Sequence, residues 1–332
     1  MVTSGSKGRT HLCPANSIFM KTSNHLFKTG CALLMGTMLL MACGSTRKAT
    51  LAGKNIFYEV GHRGTRGLMP ENTIPAFEKG IAVGANTIEF DVHITKDNKV
   101  VVYHDNSFTP SYTTKPDGSD ISNAERKKYT FYQMNYADIR PFIIGEKAYP
   151  AYPEQQRLKS YAPLMTEMID SIEAFTRANH YDPAIYLLEI KSNPNTDGFE
   201  QPDPQTFMKI MMGVLAPYLK TLKGRLIIQS FDMRPLQVLH QTHPDIPLGF
   251  LTGDKSKTVE ENLRAMGFVP DFYNPHFSLV NSDFLKTCHD KDMKVLPWTV
   301  DKTAEMQTLV DLGVDGIITD YPDRLETVVQ SK

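Results

Sequence analysis

The feature that most restricts what this chain can fold into is an alternation that begins near residue 55. Short runs rich in β-branched residues lie at 56–61, 86–91, 185–190, 225–230, 247–251, 271–274, 294–299 and 315–319. Segments of helical period follow near 73–84, 165–179, 204–221, 233–242, 257–266, 281–291, 302–312 and 322–330. A strand that feeds a helix must return parallel to itself, so repeated strand–helix units build a parallel sheet covered by helices. Eight such units are the count of a closed α/β barrel, a (β/α)8 TIM barrel, and 332 residues are enough for one. Hydrophobic residues at 41% can fill that core, and a formal net charge of −1 offers no bulk field to attract nucleic acid.

One run falls outside the count. Val100–His104 is separated from the second strand and its extension by only Lys96-Asp97-Asn98-Lys99. A parallel crossover needs a dozen or more residues, so this run returns as an extra antiparallel hairpin near the barrel mouth. The stretch 106–163 that follows is rich in Tyr, Pro and charge and poor in periodicity. Segments of that length inside a compact domain are usually functional. It reads as a capping insertion over the barrel mouth, after the second barrel strand.

Ahead of the alternation stands a different kind of segment. Lys21 and Lys28 precede an apolar run, Cys31–Ala42, that is too short for a comfortable membrane span and ends at Leu40-Met41-Ala42-Cys43. Residues 1–42 read as a lipoprotein-type signal peptide, with translation starting at Met1 or Met20, and Cys43 as the acylated residue. An uncleaved anchor helix is the alternative. Residues 43–54 form a linker and 55–332 the barrel. Lys7, Arg9, Lys21 and Lys28 leave with the leader, so 36 basic residues become 32 against 37 acidic, net −5. Cys13 and Cys31 leave too and Cys43 is acylated, so Cys288 has no disulfide partner within the chain. The expected location is the bacterial cell envelope, lipid-anchored and facing the periplasm or the surface.

Barrel enzymes assemble their sites at the C-terminal ends of the strands. There the chain places Gly61-His62-Arg63-Gly64, Glu89-Phe90-Asp91 and Glu189-Ile190-Lys191, and the hairpin ends at His104-Asp105. Residues two apart on a strand share a face, so Glu89 and Asp91 point together, as do Glu189 and Lys191. Three carboxylates in one mouth repel one another unless a positive charge lies among them. A hard divalent cation, Ca2+ or Mg2+, suits an all-oxygen ligand set. Ion pairs to Arg63 and Lys191 are the alternative. His62 and His104 flank the acids and could share acid and base duty near neutral pH. His93 reads as structural or solvent-facing.

Taken in order, Gly61–Gly64, Pro70-Glu71-Asn72-Thr73, Glu89–Asp91, Val102–Asp105, Leu188–Lys191, Gln229-Ser230-Phe231, Trp298-Thr299-Val300 and Gly316–Asp320 resemble the glycerophosphodiester phosphodiesterase family. The resemblance implies hydrolysis of a small-molecule glycerophosphodiester to glycerol 3-phosphate and an alcohol. It implies Glu89, Asp91 and Glu189 as metal ligands, His62 and His104 as the acid–base pair, and Arg63 and Lys191 on the phosphate. Glu71 and Asn72 belong to the family's substrate-binding region, with Asn72 supporting the histidines or the phosphate. Phe231 and Trp298 would line the glycerol side. Similarity to related barrel phospholipases implies a cyclic phosphate intermediate. One departure is Pro163-Leu-Met-Thr-Glu167, which leaves Glu167 without a clear role. No obligate protein partner is implied. The alternatives are a lysophospholipase D or phosphoinositide phospholipase-like activity on membrane lipids, and a non-catalytic glycerophosphodiester-binding lipoprotein.

Overall fold

A computed structural model describes residues 56–331. The expected signal peptide, Cys43 and the linker 43–54 lie outside the described residues. Within 56–331 no helix is long and apolar enough to cross a membrane.

The strand–helix units of the barrel run in the expected order, with further short elements inside 106–163. They are β1 (Tyr58–Gly61), α1 (Ile74–Ala82), β2 (Thr87–Ile94), β3 (Val100–Val102), β4 (Thr113–Thr114), α2 (Tyr136–Ile139), β5 (Ile143–Ile144), α3 (Met165–Ala178) and β6 (Ile185–Ile190). After them come α4 (Pro204–Leu215), β7 (Leu226–Ser230), α5 (Met233–Thr242), β8 (Leu248–Thr252), α6 (Val259–Met266), β9 (Phe272–Pro275), α7 (Ser282–His289), β10 (Lys294–Val295), α8 (Thr303–Leu312), β11 (Gly316–Thr319) and α9 (Pro322–Gln330). Eight parallel strands lie in the order β10-β9-β8-β7-β6-β2-β1-β11, and β3 pairs antiparallel with β2 through Val92↔Val102 and Ile94↔Val100. The fold is thus a nearly closed TIM barrel with an additional hairpin.

Strand parity separates two apolar layers. Ile88, Phe90, Tyr186, Leu188 and Ile228 face the helices and pack with Phe77, Met165, Met168 and Phe207. Tyr58, Val60, Leu187, Ile227, Phe272, Leu296 and Ile318 fill the barrel interior. The register β2–β6 sets Asp91 beside Glu189, and β6–β7 sets Glu189 beside Gln229. Apolar interior positions therefore give way to polar ones towards the strands' C-terminal ends.

Two boundaries differ from the sequence reading. The strand expected over 294–299 is regular only at Lys294–Val295, because Pro297 has no N–H to give to a ladder. The chain nevertheless continues as the last stave. The Asp315 N–H donates to the Val295 carbonyl at 3.1 Å, and the Ile318 N–H to the Pro297 carbonyl at 2.9 Å, which joins the barrel's two ends. Helix α4 begins on the Asp203 carboxylate, which caps the Gln205 and Thr206 N–H groups, and stops at Leu215 just before Ala216-Pro217.

The stretch 106–163 is more ordered than its weak periodicity suggests. Strands β4 and β5 pair antiparallel, and Phe108, Tyr112, Ile121, Phe131, Ile139, Phe142 and Ile144 close around Val101 and Tyr103 of the hairpin. This excursion is a satellite core rooted on the hairpin. Aromatic edges and faces at 4.1–5.5 Å hold it, among them Phe108–Phe142 and Tyr103–Phe108.

Candidate active site

The loop after β1 is built by close backbone packing. A Cβ added at Gly80 of α1 would fall 2.5 Å from the Gly64 carbonyl oxygen, so the helix can lie against the loop only because that position is bare. The approach holds two side-chain-bearing residues in the left-handed region, Arg63 at φ 52° and Asn72 at φ 55°. The Asn72 N–H donates to the Arg63 carbonyl at 3.0 Å, and the Arg63 N–H to Glu89 Oε2 at 2.8 Å. Unfavourable backbone of this kind persists where surrounding contacts over-determine it, and such positions cluster in active sites.

At the C-terminal end of the barrel a cavity of about 260 Å3 is lined by His62, Arg63, Arg66, Glu89, His104, Glu189, Lys191, Gln229, Phe231 and Trp298. A larger groove, about 690 Å3, lies beside it over β7 and β8 and shares Phe231 and Leu251, but it contains neither imidazole nor any of the three acids. The chemistry belongs to the smaller space.

Glu89, Asp91 and Glu189 are all buried and each offers an oxygen within 4.8 Å of the others. Burial, then the charges of Asp91 and Glu189, push Glu89 well above the ordinary carboxylate range. Burial also raises Glu189, against the pull of Lys191. For Asp91 burial acts upward too, but Lys191, His104, Arg63 and the Asn72 amide overcome it and hold the carboxyl low. Lys191 Nζ lies 3.0 Å from Asp91 Oδ1 and 2.5 Å from Glu189 Oε1. Glu89 Oε1 is buried with no hydrogen-bond partner. One lysine thus serves two of three acids, and the third keeps an open ligand atom, as a divalent cation site requires.

Each imidazole rests on a carboxylate. His62 Nδ1 lies 2.7 Å from Asp320 Oδ1 at the end of β11, and His104 Nδ1 lies 2.7 Å from Asp105 Oδ1. An Nδ1–H given to each carboxylate leaves Nε2 free, and His62 Nε2 lies 4.0 Å from Glu89 Oε2. Asp320 is gripped by Arg66, through Nε at 3.0 Å and Nη2 at 2.7 Å. Burial would raise Asp320, but the charges of His62 and Arg66 and their hydrogen bonds hold it well below the usual range. Burial depresses His62 to about 4 against the opposing pull of Asp320, so the ring is neutral at neutral pH.

Glu71 and Asn72 are not among the cavity's lining residues. Glu71 takes an Arg63 N–H at 2.7 Å and the Tyr112 hydroxyl at 3.1 Å, and Asn72 donates to Asp91 Oδ2 at 2.7 Å. Glu71 orients Arg63, which lines the cavity, while Asn72 holds Asp91 of the acidic cluster and does not touch the histidines. Phe231 and Trp298 stand edge to face at 5.2 Å on the cavity wall. His93 is structural: buried, with Nε2 3.0 Å from the His104 carbonyl. Glu167 pairs with Tyr161 and, at 3.9 Å, Arg140, away from the cavity. No residue of 106–163 lines the cavity. Sequence reading gave no roles to Asp105, Asp320 and Arg66. The first two could have been suspected as carboxylates at the ends of a hairpin strand and a barrel strand.

The family model for the "Glycerophosphoryl diester phosphodiesterase family" matches residues 62–324. A glycerophosphodiester phosphodiesterase of Bacillus subtilis strain 168 is 28% identical over 297 residues, covering 88% of this chain and 93% of the relative. A solved structure from Silicibacter pomeroyi DSS-3, assigned to the same enzyme class, is 27% identical, covers 83% of this chain and 94% of its own, and superposes with a TM-score of 0.73. The fold is shared with an Oleispira antarctica phosphodiesterase solved with sn-glycerol-3-phosphate, at 19% identity, 82% and 96% coverage and a TM-score of 0.60. Motif order, fold and a match that spans nearly the whole barrel agree: this chain belongs to the glycerophosphoryl diester phosphodiesterase family of enzymes.

Proposed function

We propose that this protein hydrolyses glycerophosphodiesters to glycerol 3-phosphate and an alcohol, with a divalent cation held by Glu89, Asp91 and Glu189. The observation that carries the reading is one cavity lined by two carboxylate-backed imidazoles, Glu89, Glu189 and the cations Arg63 and Lys191, with the buried Asp91 offering an oxygen within 4.8 Å of both acids. Oxygen-only ligands suit Ca2+ or Mg2+, and either ion, when bound, supplies Lewis-acid relief of the negative charge gathering on the phosphate.

The chain's own groups divide the remaining work. Arg63 and Lys191 attract the phosphate oxygens. His62 Nε2, neutral and unprotonated, accepts the proton of the glycerol 2-hydroxyl as that oxygen attacks phosphorus. His104 gives a proton to the oxygen of the departing alcohol, which leaves a cyclic phosphate. In the second half, His104 takes a proton from water as it adds to phosphorus, and His62 returns one to the 2-oxygen, giving glycerol 3-phosphate. Phe231 and Trp298 flank the glycerol carbons.

The test is a product assay with glycerophosphocholine, glycerophosphoethanolamine, glycerophosphoglycerol and glycerophosphoinositol, before and after chelation. Glycerol 3-phosphate should accumulate, stop with chelator and resume with Ca2+ or Mg2+. Full turnover in excess chelator would remove the metal from the reading, and no turnover of any diester would remove the activity. A lipid anchor at Cys43 in the cell envelope completes the proposal, supported by Leu40–Cys43 and the apolar run before it. Fatty-acid labelling that persists in Cys43→Ser would sink that part.

A further inference from the structure

The excursion 106–163 carries no residue of the cavity wall, yet one of its side chains bears on the chemistry. Asp105 uses both oxygens: Oδ1 meets His104 Nδ1 at 2.7 Å, while Oδ2 takes the Thr109 hydroxyl at 2.7 Å and Arg126 Nη2 at 2.6 Å. The same guanidinium donates through Nε to Ser107 Oγ at 3.1 Å. Arg126 opens a short 3-10 turn, Arg126–Tyr129, and the chain after that turn is fastened beside the His104 loop. The Phe131 N–H donates to the Asn106 carbonyl at 2.9 Å, and the Phe131 ring is buried against Tyr103 and Phe108 at 5.1 and 4.9 Å.

The Arg126–Asp105 pair is 39% and 26% exposed, and ion pairs so open to water contribute little to folding. Its geometric effect is larger. A carboxylate bound only through Oδ1 can swing about its Cβ–Cγ bond; here the Thr109 hydroxyl and Arg126 Nη2 together hold Oδ2, and the second arm of the planar guanidinium, on Ser107, fixes the direction of the Arg126 bond. The plane of Asp105 fixes the direction of the Nδ1–H bond, and therefore where His104 Nε2 points. Burial works to raise Asp105, yet its hydrogen bonds to His104 and Thr109 and the charges of His104 and Arg126 keep it well below the usual carboxylate range, ready to accept that bond.

We propose that Arg126 is a positioning residue for His104, acting through Asp105, so that the excursion is a working part of the active site. This rests on the phosphodiesterase reading above. Arg126→Ala should lower kcat by about tenfold, the low end of the cost of losing an outer partner, because Arg126 acts one contact beyond Asp105 and the Thr109 hydroxyl still holds Oδ2. KM should stay within about twofold, since the interaction serves the chemical step. Arg126→Lys should restore only part of the rate, because one ammonium cannot reproduce the fork between Ser107 and Asp105. In an Asp105→Asn background, Arg126→Ala should cost nothing further. Lys127→Ala, on the same turn, should leave kcat unchanged. If Arg126→Ala does not fold, Arg126→Gln takes its place in each comparison. A kcat within about twofold of the unaltered protein, or a loss that adds in full to that of Asp105→Asn, would overturn the proposal. Nitrogen NMR of labelled histidines supplies a readout independent of turnover. The His104 Nδ1–H signal should be sharp in the unaltered protein and averaged in Arg126→Ala; an unchanged signal counts against the proposal. Failure to hydrolyse any diester, with the NMR difference intact, would strike the phosphodiesterase reading alone.

Discussion

At the scale of single residues, the two histidines are the first test of the chemistry. His62→Ala and His104→Ala should each lower kcat by about 10²–10⁴-fold, the range for removing a general acid or base, measured under substrate saturation. Because burial lowers His62 to about 4, its basic form persists down to about that pH, so with saturating Ca2+ or Mg2+ the part of the acid-side loss of kcat/KM that belongs to His62 should begin only as pH drops towards it. A second residue gives a stability signature. Glu59 on β1 has a buried Oε2 without a partner, and burial, with the charge of Glu326, raises its carboxyl to about 7. A raised folded-state pKa means that stability is fully present below the ordinary value of 4.5 and is lost as pH rises through about 7. Glu59→Gln should therefore match the parent near pH 4.5 and exceed it near pH 8, by about 1 kcal/mol or less after solvent screening. Urea unfolding at the two pH values checks this. What the sequence made legible at this scale was residue type at strand ends: His62, Glu89, Asp91, His104, Glu189 and Lys191 all converge. What it hid were partnerships across sequence distance. The His62–Asp320 bond spans 258 positions, and no local spacing reports it.

Among the elements, β1, α1 and the loop between them form the tightest joint. Glycine inside a helix ordinarily weakens it relative to alanine, by roughly 0.5–1 kcal/mol. At Gly80 the sign should reverse, because the added methyl meets the Gly64 carbonyl at 2.5 Å and backbone cannot yield as a flexible side chain would. Gly80→Ala is expected to destabilise by about 1–3 kcal/mol, the usual cost of overpacking, and to lower activity further by moving His62 and Arg63. Chemical denaturation beside kcat/KM reads both effects. The order of the barrel's strands and helices was legible, since strand and helix periods differ. The excursion was not. Its core is made of aromatics such as Phe108, Phe131 and Phe142, spaced by neither period, so Arg126 looked like one charge among many in Glu125-Arg126-Lys127-Lys128.

For the molecule as a whole, the acids at the mouth exchange stability for binding. Burial and mutual repulsion raise Glu89 and Glu189, which weighs on the folded state of the metal-free protein. A cation that binds only the folded form stabilises it by mass action, by about 2.7 kcal/mol at a hundredfold excess over Kd. Tm should therefore rise with added Ca2+ or Mg2+ and fall with chelator, and Glu89→Gln should blunt the response. Identical melting curves with and without ions would contradict the site.

Asp320, at the tip of β11, supports His62, at the tip of β1. During synthesis the first stave leaves the ribosome with its imidazole unsupported, and the missing prop arrives only with the final one. Hydrolytic competence should thus switch on late and all at once. A nascent or C-terminally clipped product would be inert, and unfinished copies could not consume diesters before the ring has closed.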